Sequence, residues 1–307
     1  MSHALILTAA LLLDAALGEP KWLWSRLSHP AVLMGRSIGW CDLRFNRGGR
    51  RKLRGVAVMA NLGLAALALG WGIAVLPGSG ILQVIAVAVL LAQRSLVAHV
   101  SDVSRALRLS LGDGRRAVAR IVGRDTTGMG TAAVARGAIE SAAENLSDGV
   151  IAPALWFLVF GLPGLLLYKI TNTADSMIGY RTERHRDFGW AAARLDDVLN
   201  WVPARITALL IVLVHGVPGA FSVVRRDAPL HRSPNAGWPE AAMAVVLNIQ
   251  LSGPRSYDGA RRDYPIVYPE GRADLDPEAI DAAVSALWRT WAALFIFVAI
   301  LGFGAAT

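Results

Sequence analysis

The sequence predicts an all-α, polytopic membrane protein whose helices form hairpins broken at Pro/Gly turns, with amphipathic segments on the cytoplasmic side. Three observations predict it. Hydrophobic residues make up 54% of the chain and charged residues only 18%, with a mean hydropathy of +0.43. Soluble domains carry about 25% charged residues, so much of this chain is built to face something other than water. Apolar runs near bilayer length recur, and three are interrupted by a short Pro/Gly cluster. The basic residues gather in the segments between those runs, as in basic cytoplasmic loops. The net charge of +8 therefore points to membrane topology, not nucleic acid. By length and composition the chain reads as a single integral membrane domain over residues 1–307, with 225–286 a cytoplasmic-type loop region within it.

The elements follow in chain order. His3 to Leu13 is apolar and continues to Gly18, but it holds Asp14 and is short for a span of about 20 residues. It lacks the basic start and small-residue cleavage pattern of a signal peptide, so it reads as an uncleaved anchor or a short embedded helix. Gly55 to Gln93 carries no charge and breaks at Leu76-Pro77-Gly78-Ser79-Gly80, the pattern of a helical hairpin. Gly149 to Tyr168 breaks at Gly161-Leu162-Pro163-Gly164. Ile206 to Val224 breaks at Gly216-Val217-Pro218-Gly219, and its return arm is too short to decide between a crossing and a re-entrant loop. Thr290 to Thr307 is a last apolar segment. Residues 19–54 hold nine Lys/Arg, 94–148 eight, 169–205 six and 225–286 seven, whereas the three Pro/Gly tips hold none. This distribution puts the charged segments on the cytoplasmic side of a bacterial inner membrane and the tips within or beyond the bilayer.

The chemistry concentrates in a polar hairpin whose arms, 139–160 and 164–180, meet at the Gly161 turn. On the first arm Glu140, Glu144 and Asp148 recur every four residues, within about 80° of one helical face. On the second arm Lys169, Asn172, Thr173 and Ser176 share a polar face, with Asp175 at its margin. Charge at membrane depth is costly and normally faces a protein interior or a wet cavity. Stacked carboxylates suit oxygen-ligated Mg²⁺, which takes a few carboxylates plus substrate phosphate oxygens. The plainer alternatives are a solvated acidic face paired with Arg136 or its neighbours, and a snorkelling Lys169.

Other clusters speak more softly. Arg124-Asp125-Thr126-Thr127-Gly128 offers a guanidinium, hydroxyls and a flexible glycine before a helix, a pattern suited to an anion. Asp196-Asp197 with Asn200 and Arg205 is polar at helical spacing, as surface charge also would be. His29-Pro30 and the run Ser233 to Glu240 are turn-rich and suited to shaping a pocket. Cys41 is the only cysteine, and the six histidines show no metal-binding spacing, which argues against disulfides, Cys-ligated clusters and a His cage. The histidines read as structural. No GxxxxGK[ST] loop or GxGxxG fingerprint is present.

Taken together, several stretches resemble the adenosylcobinamide-phosphate synthase (CobD/CbiB) family of cobalamin biosynthesis. They are Asp125–Met129, Ala138–Pro153, Tyr168-Lys169, Asn172–Arg181, Phe188–Asp197, Asn200, Pro203-Ala204-Arg205, Ser233–Glu240, and Tyr257 with Gly259. Asp14, Gly18-Glu19-Pro20, His29-Pro30 and Gly35-Arg36 add to the likeness, with Gly-Glu-Pro where the family has Gly-Asp-Pro. The resemblance implies an ATP-dependent acid–amine ligase that joins a side-chain carboxylate of (adenosyl)cobyric acid to aminopropanol or its O-phosphate. A carboxylate does not acylate an amine unaided, so ATP with Mg²⁺ is expected, and cobalt enters only within the corrinoid. On this reading Glu140, Glu144 and Asp148 hold the metal, with Asp175 assisting, and Lys169 stabilises charge during acyl transfer. Arg124, Arg181, Arg194 and Arg205 neutralise substrate anions. Asp125, Thr126, Asn145, Asn172, Asp197, Asn200, Asn235 and Glu240 complete a substrate-binding set. Expected partners are the substrates, the lipid bilayer and other membrane-associated enzymes of late cobalamin synthesis, with no nucleic acid. A membrane transporter or a scaffold for corrinoid intermediates is the competing class, because broken helices with buried charge also mark carriers.

Overall fold

A computed structural model of the chain describes residues 1–257 and 260–304; of the residues named above, Gly259 and the end of the last apolar segment at 305–307 lie outside them. The fold is all-α, 73% helical. Among the described residues, four helical stretches are long and apolar enough to cross a membrane: Arg51–Ala74, Gly80–Leu109, Thr131–Ile178 and Pro277–Gly304. A fifth is formed if Trp190–Leu199 and Trp201–His215, bent by 42°, act as one span. The chain divides into two compact units, each assembled from separate segments.

The first unit comprises residues 1–92, 152–200 and 297–307. It contains α1 (His3–Leu17), α2 (Lys21–Trp24), α3 (Pro30–Phe45), α4 (Arg51–Ala74), α5 (Gly80–Leu90), α9 (Ala152–Ile178) and α10 (Trp190–Leu199). The short apolar α1 packs on α5 and α9, and the expected α4–α5 hairpin forms at the Pro77 turn. Helix α4 lies along α9 and the segment leading into α10, and three glycines on its buried face explain how closely. A Cβ at Gly55 would strike the Phe188 carbonyl, one at Gly63 would meet Leu167 at 3.1 Å, and one at Gly70 would stand 2.6 Å from the Pro163 backbone. Small residues at such an interface let helix backbones approach without side chains between them.

Helix α9 reverses at Gly161, where φ is 63° and ψ −157°, a region that essentially only glycine occupies. Trp156, before the turn, donates its ring N–H to the Leu199 carbonyl at 3.1 Å, and Tyr168, after it, donates to Asn200 at 2.9 Å. On a straight helix those side chains would lie about 18 Å apart. Ala152, Tyr168 and Leu199 form one buried cluster instead, packed by Trp156 and Leu195. The hairpin turn at Gly161–Gly164 is thus present, with its first arm beginning at Ala152 within this unit.

The second unit comprises residues 93–151 and 201–296. It contains α6 (Gln93–Leu109), α7 (Leu111–Val118), α8 (Thr131–Leu146), a π-helical turn at Ser147–Ile151, α11 (Trp201–His215), α12 (Ala220–Asp227), α13 (Gly237–Leu247) and most of α14 (Pro277–Gly304). Helix α6 buries Val97, Val100, Ser104 and Leu107 along one stripe, the spacing of an amphipathic helix. Helix α8 packs on α6 and α13, and α13 on α11. Two small antiparallel ladders follow: β1 (Leu251–Ser252) pairs with β4 (Ile266–Val267), and β2 (Arg255–Tyr257) with β3 (Ala260–Arg262). Region 225–286, the cytoplasmic-type loop region of the sequence reading, contains α13 and these strands among its described residues. The arm after Gly219 is the eight-residue α12, too short to cross, so the apolar length at this tip comes from the bent α10–α11 pair before it.

Candidate functional site

In the first unit the polar face of α9 meets α10. The carboxylate of Asp196 is buried and held by two amides: Asn172 donates to one oxygen at 3.2 Å and Asn200 to the other at 2.9 Å. Asn200 is fixed in turn by the Tyr168 hydroxyl at 2.9 Å. Asp175 and Asp197 lie within electrostatic reach of Asp196, and Asp197 stands 3.8 Å from Arg194. The sequence-predicted Asn172, Asp175, Asp197 and Asn200 are thus brought together, around an Asp196 that spacing alone could not distinguish from surface charge. Lys169 is half-buried on the same arm, one turn from Thr173, whose hydroxyl donates to the Lys169 carbonyl at 2.7 Å. An open cleft beside α10 is lined by Arg181, Arg186, Arg194, Trp190 and Asp197. Arg181 and Arg194 belong to the expected anion-binding set, and Arg186 does not.

In the second unit Glu140 is buried on α8 between two arginines. Arg124 reaches one oxygen at 2.7 Å, and Arg255 and the Ser252 amide reach the other at 3.1 and 2.6 Å. All three guanidinium and carboxylate side chains are at most 10% exposed. The solvated acidic face weighed from sequence is therefore absent at Glu140, and the metal-ligand expectation meets a carboxylate with both oxygens already engaged. Arg124 is likewise occupied as a counter-ion instead of standing open as an anion site beside Asp125 and Thr126. Glu144 is exposed, Asn145 donates back to Ser141 at 2.9 Å, and Asp148 is half-buried in the π-helical turn. The three acids stacked in the sequence thus occupy three environments. Among the described residues, no three His, Cys, Asp or Glu side chains group tightly enough to hold a metal ion on their own.

The run from Ser233 to Glu240 folds as a capped turn leading into α13. The Ser233 hydroxyl accepts from the amides of Asn235 and Ala236, both at 3.2 Å. Arg205 lies over the rings of Trp201 and Trp238, 4.2 and 4.6 Å from their centroids, and donates to Asn235 at 3.3 Å. That arrangement makes Arg205 and Asn235 a clamp on the turn. Glu240 is fully buried 3.6 Å from the His231 ring. Burial raises the Glu240 carboxyl well above its usual range, with Glu140 and Glu144 adding to the effect. Burial also depresses His231 to about 4, with Arg255 reinforcing the shift. His231, Ser252 and Arg255 belong to this cluster and carried no motif; Ser252 and Arg255 come from a segment distant from Glu140, so no local spacing marks them, whereas His231 lies in the turn just before Glu240.

The family model described as CobD/Cbib protein matches residues 7–287 of the chain. A Rhizobium meliloti protein named "Cobalamin biosynthesis protein CobD" is 49% identical, covering 96% of both chains. Proteins of the same name from Brucella suis and Halalkalibacterium halodurans are 47% and 39% identical, covering 93% and 98% of this chain. No solved structure matches. The arginine-rich cleft, the amide-held aspartate and the hairpin that carries them thus lie within matched sequence, and the chain belongs to the CobD/Cbib protein family.

Proposed function

We propose that this protein acts in cobalamin biosynthesis by forming an amide between a side-chain carboxylate of (adenosyl)cobyric acid and aminopropanol or its O-phosphate, at the cytoplasmic face of the bacterial inner membrane. The observation that carries the proposal is the arginine-lined cleft beside the Asp175–Asp196–Asp197 carboxylates, in a chain matched over residues 7–287 by its family model. Such a set suits a reaction in which phosphate-bearing groups must be held while an acyl group is transferred.

Phosphoryl transfer from ATP to the corrinoid carboxylate turns a poor leaving oxygen into a phosphate. The amine lone pair then attacks the acyl carbon, the C–O bond to phosphate breaks, and the amine releases a proton. Arg181 and Arg194 would neutralise phosphate charge, and Lys169 would stabilise charge on the acyl oxygen. Asp175 and Asp197 would orient the amine, with Asn172 and Asn200 fixing their neighbour Asp196. In the second unit, taken by itself, Glu144 and Asp148, both at least partly accessible, offer oxygen donors of the kind that Mg²⁺ takes. Bound Mg²⁺ would supply charge neutralisation to the transferring phosphoryl group. Glu140 has a different part, holding Arg124 and Arg255.

The test is direct. Purified protein in detergent, given adenosylcobyric acid, ATP, Mg²⁺ and either amine, should yield a product whose mass is that of the amide, with ATP consumed in proportion. Accumulation of intact corrinoid inside vesicles with no new amide would replace the ligase with a carrier.

A further inference from the structure

We infer that the corner between α3 and α4 is a docking surface for the headgroups of anionic phospholipids, with Arg44, Arg47 and Arg50 as the residues that select them. Six of the eleven residues from Arg44 to Arg54 are cationic and none is acidic. They stand where an uncharged run begins. Helix α4 is long and apolar enough to cross a membrane, and its charges are confined to its first four residues, Arg51, Lys52 and Arg54 among them. A basic cluster directly beside such a helix sits at the level of the lipid phosphates and attracts negative headgroups.

The side chains at this corner add what a count of charges leaves open. Arg44, Arg47 and Arg50 are exposed, and among the described residues none of the three makes an ion pair. Arg54 donates to the Arg47 carbonyl and braces the turn. Arg50 lies at φ 59°, in the left-handed region that favours glycine, so a long cation stands at a conformational cost that no ion pair of its own offsets. Asp42, the only acid of α3, is buried and taken up by Arg184 at 2.5 Å and Asn46 at 2.8 Å, and so leaves the outer cations unneutralised. Apolar groups share the surface: Trp40, Leu43 and Leu53 are 60–64% exposed. On α3, Arg36, Trp40, Leu43 and Arg44 fall within about 100° of one face, with buried Ile38, Cys41 and Asp42 on the other. A bilayer boundary offers both chemistries at one level, phosphate outside and apolar chain beneath, and tryptophan is favoured there.

The exposed arginines of the second unit are of another kind. Arg108 meets Glu278 and Asp281 at 3.0 and 2.8 Å, Arg226 meets Glu270 at 2.6 Å, Arg272 meets Asp276 at 2.9 Å, and Arg105 and Arg116 meet Asp102 and Asp113. Charge that only sets membrane orientation acts by its number. It does not require cations to be exposed, without acids, and set beside tryptophan and leucine. A zwitterionic headgroup brings no net charge to answer three guanidinium groups, whereas a phosphodiester with an uncharged headgroup does. Inorganic phosphate would leave Trp40, Leu43 and Leu53 unused.

The test offers phosphatidylglycerol and phosphatidylcholine of the same chains together to full-length protein stripped of lipid in mild detergent, with bound lipid read by native mass spectrometry. The wild type should retain phosphatidylglycerol over phosphatidylcholine by at least about tenfold. Arg44→Gln/Arg47→Gln/Arg50→Gln should bring that ratio to within about twofold of unity at an unchanged melting temperature. Six of the nine Lys/Arg of residues 19–54 remain in this variant, so its orientation in the membrane is kept. Replacing the same three arginines by lysine keeps the charge and should keep the preference. Trp40→Ser should weaken the retention of both lipids without changing their ratio. Arg105→Gln/Arg116→Gln, which removes paired cations of the second unit, should leave the ratio at its wild-type value. Equal retention of the two lipids by the wild type would overturn the assignment, as would a wild-type ratio in the glutamine triple variant. Displacement of phosphatidylglycerol by inorganic phosphate at the same concentration would overturn it too, and make the corner a site for small anions.

Discussion

Two buried carboxylates, one in each unit, solve the same physical problem in opposite ways. Glu140 is compensated by Arg124, Arg255 and the Ser252 amide. Asp196 is held only by the neutral amides of Asn172 and Asn200, and among the described residues it makes no ion pair. Removing a carboxylate from water costs several kcal/mol, which opposite charge in good geometry can offset. Glu140 has that offset inside its own unit and ties α8 to the strand region. Asp196 has no such offset, and only the two amides compensate its burial. The first arrangement is that of a scaffold, and the second is the one that the proposed function draws on.

The largest expected effects would break this contrast if reversed. Glu140→Gln leaves Arg124 and Arg255 as buried charges short of a partner, and should destabilise the protein by about 3–5 kcal/mol. A steep fall in melting temperature or in folded yield from detergent would register it. Asp196→Asn keeps shape, removes an uncompensated charge, and should leave melting unchanged or raised while amide formation falls about 10²–10³-fold. If Asp196→Asn unfolds the protein and Glu140→Gln only slows it, the two roles are exchanged. Asp148→Asn and Glu144→Gln should also slow the reaction by about 10²-fold, with partial rescue by raised Mg²⁺; a two- or threefold defect would assign them to structure.

The helices were legible in the sequence because uncharged length and Pro/Gly breaks are local signals: the turn at Gly161, the α4–α5 hairpin and the short α1 all stand where composition put them. The clusters were legible only in part. Asp175, Asp197, Asn172 and Asn200 come from two adjacent helices whose spacing shows a shared polar face. Arg255, Ser252 and His231 reach Glu140 and Glu240 through tertiary folding across more than 100 residues of chain in the Glu140–Ser252 case, which periodicity cannot encode. The i, i+4, i+8 face of Glu140, Glu144 and Asp148 failed to predict a common environment because helical order changes to a π turn at Ser147 and packing buries only the first acid. Cys41, exposed to labelling on a simple loop reading, is buried in α3, and burial pushes its thiol up. A sidedness probe therefore needs Gly49→Cys, in open space on an exposed turn, in a Cys41→Ser background.

A smaller effect sharpens the contrast through pH. His231 is depressed from 6.5 to about 4, so it stays neutral in the folded protein while the unfolded chain takes a proton. Stability should therefore fall as pH drops from about 6.5 to 4, by about 3 kcal/mol once both values are passed. Glu240, raised by burial and by Glu140 and Glu144, works the other way. The folded protein retains a proton that the unfolded chain releases, so stability falls as pH rises above the ordinary glutamate range. His231→Gln should remove the first limb and leave the second, moving the stability optimum to lower pH in melting curves taken from pH 4.5 to 7.5. An optimum unmoved by the substitution would show that His231 does not titrate differently on folding.

The smallest expected effect tests the turn that sets the α9 arms against each other. At Gly161 the backbone lies at φ 63° and ψ −157°, and a Cβ there would stand 2.7 Å from the His3 ring. Gly161→Ala therefore adds two costs, backbone strain of about 1–3 kcal/mol and crowding of His3. His3 is an exposed side chain near the chain start, able to swing aside, so the crowding should be the minor part. The double variant His3→Ala/Gly161→Ala separates them: it should recover less than half of the melting-temperature loss of Gly161→Ala, because the dihedral strain remains. Gly49→Ala, at an exposed position with nothing within 4 Å of its added Cβ, is the control and should not change melting. Full recovery in the double variant would mean that α9 reverses without depending on a glycine-only dihedral, and that Pro163 and the packing of Trp156 and Tyr168 on α10 are sufficient to fold the arms together.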